Sequence, residues 1–202
     1  MNEERMDRRV RKTRLAIQQA FLSLMKEKGL QAVTVGDITA RADINRATFY
    51  AHYRDKQDLI SQAIAEVLDE WVQEEEARLS GEASAFDFER LLPIFVRMFE
   101  NIAKHAEFYR VMLGPDGYPG FAERLGALMQ RLIKEGHSSV LRLSGAQPLV
   151  EPDIYLSYVT SAQLGVITYW LKEGARYSPE YMAGQLMLLY RLGAVQAADY
   201  SG

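Results

Sequence analysis

The 202-residue chain has no cysteine. That excludes disulfides, thiolate nucleophiles and cysteine-based zinc or iron–sulfur centres. It has three histidines, His52, His105 and His137, whose separations match no metal-ligand spacing. It also lacks a phosphate-cradling glycine loop and a GxSxG turn. The carboxylate run Glu74, Glu75 and Glu76 reads as the solvated end of a helix rather than an acid/base pair. No catalytic residue, metal or cofactor is therefore expected, and an enzyme is the weakest functional class. No apolar run approaches the roughly 18 residues needed to span a bilayer. The charged opening MNEERMDRRVRK leads into no signal-peptide core, so the expectation is a cytoplasmic protein without a membrane partner.

What is present points to a globular protein, with 48% apolar and 25% charged residues. The net charge of −3 hides an asymmetry. Residues 1–56 carry 12 Lys/Arg against 7 Asp/Glu, and the remainder carries 12 against 20. A basic head on an acidic body is expected where only one end meets a polyanion. A merely solvated basic terminus would give the same count.

Apolar residues at Ile17, Ala20, Phe21, Leu24 and Met25 have helical spacing, and predict a first helix from Arg9 to Lys28 that Gly29 stops. Thr34 and Asp37 have the spacing of a capping box for a second helix of about two turns. Asp43–Asn45 breaks it, and Asn45 can cap a third helix starting at Arg46. Asp55 and Asp58 repeat the capping logic for a long fourth helix to about Leu79. The polar stretch SGEASA follows. Five further helices are expected, over about 86–104, 105–113, 121–143, 153–172 and 179–197. No stretch alternates with period two for long enough to argue for a sheet. The fold class is all-α with about nine helices, divided into a head over residues 1–56 and a helical-bundle body over 57–202.

On a helical wheel, Phe49 and Tyr53 share one side of the third helix with Arg46 beside them. Ala47, Ala51 and Thr48 occupy the other, flanked by Tyr50 and His52. The aromatic pair can be buried, while the small flank can enter a groove closely. Two short helices with a tight turn, the second presenting small and polar groups, match a helix-turn-helix whose second helix lies in the DNA major groove. A thymine methyl could pack on Ala47, Ala51 or Thr48, while Asn45, Arg46 and His52 could donate to bases or phosphates. The Tyr50 hydroxyl and Lys56 could reach phosphates. Thr34, Arg41 and the basic row Arg8, Arg9, Arg11, Lys12 and Arg14 would add sequence-blind attraction. A packed hairpin with core rings and solvated charges fits the same pattern.

The stretch Lys12–Ile60 resembles the DNA-binding head of the TetR (tetracycline repressor) family of bacterial regulators, most specifically in DITARA, NRATFY, HY and DKQDL. The tail YWLKEGARYSPEYMAGQLMLL is similar to the end of that family's body. The resemblance implies that Arg46, Ala47, Thr48, Tyr50 and His52 face a double-stranded DNA operator and that Lys56 clamps its backbone. Asp43 stands where the family usually has glycine, and Thr39 where it usually has alanine.

In the body, the resemblance implies an effector pocket among the fifth to seventh helices, for which Phe95, Arg97, Phe99, His105, Tyr109, Met112, Phe121 and Met129 are candidates. His137 is a further polar candidate. For any of these apolar residues, ordinary core is the commoner role. Methionine and phenylalanine suit a lipophilic or aromatic small-molecule effector. Ser157, Ser161 and Gly165 recur every four residues with Ala162 beside them, a strip low enough for close helix packing. With Leu186 and Tyr190 on the last helix, they are the candidate face of a homodimer. The resulting expectation is a ligand-responsive homodimeric repressor of a palindromic operator. A helical protein-binding scaffold that never touches DNA is the alternative.

Overall fold

The structure is a computed structural model that describes residues 2–79, 91–144 and 150–197. Among the described residues there are nine helices and no strand. They fall into two compact units. One takes the described residues up to Asp69 together with Val111–Pro119, and the other takes Glu70–Arg110 and the described residues from Gly120 onward. The expected division after Lys56 lies at the first residue of a helix that continues well beyond it.

The head unit begins with α1 (Asn2–Ala32). It starts earlier than the apolar pattern suggests, because the opening residues are Glu, Arg, Met and Asp without glycine or proline, and nothing in them opposes a helix. The basic row is thus part of α1 rather than a separate arm. Gly29 breaks the helix with φ 75° and ψ 159°, a left-handed φ that favours glycine, and one more turn follows. The freed peptide groups of that turn are taken up. Leu30 N–H donates to the Asp116 carbonyl at 3.3 Å, and the Lys56 ammonium donates to the carbonyls of Leu30 and Val33 at 2.9 and 2.8 Å. Within 111–119, a Cβ on Gly117 would lie 2.4 Å from the Met112 carbonyl oxygen, so this loop closes only around glycine.

α2 (Val35–Arg41) and α3 (Arg46–Tyr50) follow. Ile17, Phe21, Ile38, Phe49, Tyr53, Leu59 and Ile60 form the closed interior of the unit, each no more than 1% exposed. α4 (Lys56–Leu79) starts as the carboxylates require: Asp55 accepts from Asp58 N–H, and Asp58 accepts from Arg54 N–H, both at 2.8 Å.

The body unit contains the rest of α4, α5 (Leu91–Lys104), most of α6 (Ala106–Met112), α7 (Phe121–Ser144), α8 (Pro152–Lys172) and α9 (Pro179–Ala197). α5 packs along α9, and α7 along α8. The expected SGEASA boundary, the start of the fifth helix at Phe86 and the His137 side chain lie outside the described residues. No described helix is long and apolar enough to cross a membrane.

Candidate nucleic-acid interface

Two caps and one left-handed residue set the angle between α2 and α3. Thr34 Oγ1 accepts from Asp37 N–H at 3.2 Å, and the Asp37 carboxylate accepts from Thr34 N–H at 2.8 Å. Asp43 takes φ 52° in the turn. That conformation is tolerated by aspartate at modest cost, and it lets Ile44 N–H return to the Thr39 carbonyl at 3.0 Å. The Thr39 hydroxyl donates to the Gly36 carbonyl at 3.0 Å, which satisfies a polar group buried within α2. The Asn45 side-chain oxygen then accepts from both Thr48 N–H and Thr48 Oγ1, at 2.7 and 3.0 Å. Its amide NH2 group is left to donate elsewhere.

α3 therefore has two distinct flanks. Phe49 and Tyr53 are fully buried with ring centroids 5.7 Å apart. Asn45, Arg46, Ala47, Tyr50 and Ala51 are exposed, and Thr48 and His52 are half-buried. The helix itself ends at Tyr50, earlier than a wheel carried on to Tyr53 assumes. Tyr53 still reaches the core because its N–H bonds back to the Phe49 carbonyl at 2.9 Å.

The cations of the head differ in a way no motif reveals. Arg41 is held in a fork by Glu27, at 2.7 and 2.8 Å, and also donates to Ser23. The Arg41 hydrogen bonds depress the Glu27 carboxyl to about 2, so this pair persists at neutral pH and is lost only as pH falls toward that value. Lys28 pairs with Asp37, whose carboxyl is pushed down first by Lys28 and then by Thr34. Arg54 pairs with Asp58, and Arg14 pairs with Glu66 while lying 5.2 Å from the centre of the Tyr53 ring. Lys56 is half-buried and gives two of its protons to backbone carbonyls. The Arg46 side chain, by contrast, has no hydrogen bond or ion pair among the described residues, and the same holds for the side chains of Arg8, Arg9, Arg11 and Lys12.

The body brings several pocket candidates together. Tyr109 is buried, donates to Asn101 Oδ1 at 2.9 Å and meets Phe121 at 5.9 Å; burial pushes its hydroxyl pKa up. Phe99 stands edge-on to Trp170 at 5.2 Å, and Phe95 lies 5.4 Å from Tyr190. Met129 is buried in the same unit, while Met112 is buried in the head unit with the 111–119 segment. Arg97 is half-buried. His105 lies 2.9 Å from Glu70, which Lys104 also engages. Pattern reading missed the buried polar groups Asn101, Thr160 and Gln163. Asn101 sits three residues from Met98 on the apolar face of α5, and that phase is the signal that could have found it. Gln163 donates to the Tyr190 hydroxyl at 2.8 Å.

The candidate dimer residues divide by helix. On α8, Ser157, Ser161, Ala162 and Gly165 are exposed alongside Ile154, Tyr158 and Tyr169. A methyl group built on Gly165 meets nothing within 4 Å, so packing inside the protomer does not demand that glycine. On α9 the expectation needs correcting. Leu186 is buried and Tyr190 turns inward to Gln163 and Phe95, because that phase of the helix faces α5. Among the described residues of α9, the exposed large apolar ones are Tyr181, Leu188, Leu189 and Leu192.

Comparison with known proteins fits this layout. Residues 17–63 match the family model described as bacterial regulatory proteins, tetR family, and residues 89–191 match a transcriptional regulator C-terminal region. A curated relative, an uncharacterized HTH-type transcriptional regulator YxbF of Bacillus subtilis (strain 168), is 30% identical over 190 residues. That match covers 92% of this chain but 46% of the relative, so the chain spans about half of the relative's length. A TetR transcriptional regulator from Streptococcus agalactiae has the same fold at 20% identity and TM-score 0.61, over 93% of this chain and 98% of that one. The regulator FadR of Bacillus subtilis, solved in complex with stearoyl-CoA, does so at 13% identity and TM-score 0.68, over 87% and 96%. The chain belongs to the tetR family of bacterial regulatory proteins.

Proposed function

We propose that the protein is a homodimeric transcriptional repressor that reads a palindromic operator with α3 and releases it when a small molecule binds in the body. The observation that carries this reading is the outer flank of α3. It is bare, Ala47, Thr48 and Ala51 standing over a closed core, and it holds a cation, Arg46, that has no ion-pair partner among the described residues. A methyl-sized flank lets backbone and short side chains approach base edges, and a free guanidinium supplies donors for guanine or phosphate. Asn45, Tyr50 and His52 border that flank as further donors, while Thr34, whose hydroxyl and N–H both go to the Asp37 carboxylate, would have to exchange that partner for a phosphate. Lys56 can offer its remaining proton to the backbone.

The test uses double-stranded DNA from upstream of the protein's own gene. Arg46→Ala and Tyr50→Ala are each expected to weaken binding about 10- to 100-fold with the fold intact. Binding should fall steeply with salt, and Arg46→Ala should lower the log–log slope by about 1 if its partner is a phosphate. Lys56→Ala is a poorer probe, because it also strips the carbonyls of Leu30 and Val33 of their donor. Wild-type protein that shows no salt-sensitive preference for this DNA would overturn the reading.

Arg41 gives a second measurement. Its guanidinium is occupied by Glu27, so a phosphate must compete for it. Glu27→Gln is expected to tighten DNA binding about three- to tenfold at low salt and to raise the salt slope by about 1. An unchanged slope in a titration series would show that Arg41 only braces α1 against α2.

For the effector, the aromatic and methionine-rich interior of the body supports a lipophilic or aromatic molecule. The buried Trp71 indole N–H has no hydrogen-bond partner among the described residues, a donor that an effector oxygen would satisfy. The FadR neighbour's acyl-CoA complex gives a first compound class to screen. α4 contributes to both units, so an effector that favours one setting of α4 would alter the spacing of the two recognition helices in the dimer.

A further inference from the structure

We propose that Gly36, in the first turn of α2, is a positioning residue for the DNA-reading arginine: its bare α-carbon is the seat on which the Arg46 guanidinium rests. A Cβ built on Gly36 would lie 3.2 Å from Arg46 Nη2 and 3.6 Å from Thr34 Oγ1. The first distance is tighter than ordinary carbon–nitrogen contact, so a methyl group at position 36 pushes the guanidinium outward by a few tenths of an ångström, and a longer side chain covers the place where it rests.

No other contact explains the glycine. Its φ is not in the left-handed region, so the backbone would accept alanine. Glycine inside a seven-residue helix weakens an element that has few turns to spare. Nor, among the described residues, does any hydrogen bond hold the Arg46 guanidinium. The nearest acidic group of α2, Asp37, is already taken by Lys28 and Thr34. Among the described residues the guanidinium thus meets α2 by van der Waals contact, with its five N–H donors left for a partner outside them. A planar fork parked this way reaches DNA with its rotamers already restricted, which reduces the entropy lost on binding.

This inference rests on the proposed DNA-binding role, and a mutant cycle separates the two. Wild type, Gly36→Ala, Arg46→Ala and the double variant are titrated with the upstream DNA at one salt concentration, and each is melted thermally. Alanine is the better helix former, so Gly36→Ala should raise the melting temperature by about 2–4 °C. The same change should weaken DNA binding about fivefold, the low end of what an arginine contact is worth, because it displaces the group without deleting it. Gly36→Gln, with a longer side chain over the seat, should weaken it further, about tenfold. In the Arg46→Ala background neither substitution should cost more than about 1.5-fold, since nothing is left to displace.

A rise in stability with a fall in affinity, vanishing when Arg46 is absent, is a signature that a purely structural glycine cannot give. Equal losses with and without Arg46, or no loss with either substitution, would overturn the seat while leaving the DNA-binding reading intact. Wild type that does not bind, or Arg46→Ala that binds as wild type does, would instead remove the reading on which it rests.

Discussion

Leu188→Glu combined with Tyr158→Glu is expected to split the protein into monomers and to weaken binding to a two-half-site operator by about 10²- to 10⁴-fold. Both side chains are among the most open apolar groups of the body, Tyr158 at 64% and Leu188 at 47% exposed. They stand in rows with Ile154 and Tyr169 on α8 and with Tyr181 and Leu192 on α9. That much apolar surface along two neighbouring elements is unusual for a monomer and suits a self-complementary two-fold interface. In such an interface the same patch meets itself, so each glutamate would be buried against the apolar surface of the partner and lose its water. The protomer itself should tolerate the change, because neither residue contributes to its interior. Loss of the second half-site contact then removes the avidity gained by linking two heads. Sedimentation should show the mass halved, with the thermal melt of the body broadly retained. Affinity for an isolated half-site should be unchanged. A pair of substitutions that leaves mass and operator affinity as in wild type would place the dimer face elsewhere.

The α9 result shows where sequence reading stopped. Met182, Ala183, Leu186, Leu189 and Tyr190 cover more than one side of that helix, so periodicity could not say which side meets α5. Only packing decides, and it buries Leu186 and turns the half-buried Tyr190 toward Gln163 and Phe95. The head was far more legible. Caps act over three residues, so Thr34 with Asp37, Asn45 with Thr48 and Asp55 with Asp58 could each be read locally. The burial of Phe49 and Tyr53 followed from a spacing of four. The charges were different, because every pairing that distinguishes Arg41 from Arg46 crosses between elements. Glu27 lies fourteen residues before Arg41, and nothing in the chain order links them. The same holds for Lys56, whose carbonyl partners lie 23 and 26 residues away. The seating of 111–119 beside Leu30 was likewise invisible, since GPDGYPG reads as a turn whatever it touches. Local rules gave the shape of the reading surface, and tertiary contacts decided which of its cations are free.

Phe49→Ala is expected to abolish DNA binding by unfolding the head, although Phe49 faces away from any operator. The ring is fully buried, set edge-on to Tyr50 at 5.5 Å and tilted against Tyr53 at 5.7 Å. Removing a buried phenylalanine costs about 3–5 kcal/mol, including the cavity it leaves. α3 has only five residues, far below the roughly 12–15 that give an isolated helix even marginal stability, so tertiary packing is all that maintains it. A small unit stabilised by about 5–15 kcal/mol in total can lose most of its margin from this one change. Thermal melts followed by circular dichroism should then show an early transition for the head, while the body retains its own. Phe49→Leu, which keeps most of the volume, should cost less than about 1.5 kcal/mol and restore DNA binding. The contrast with Tyr50 makes the result decisive. Tyr50 is 54% exposed on the other flank, so Tyr50→Ala should lower affinity with the melting temperature nearly unchanged. If Phe49→Ala kept its melting temperature and lost only DNA binding, the two flanks of α3 would have to be exchanged. The bare flank could then no longer be the one that enters the groove.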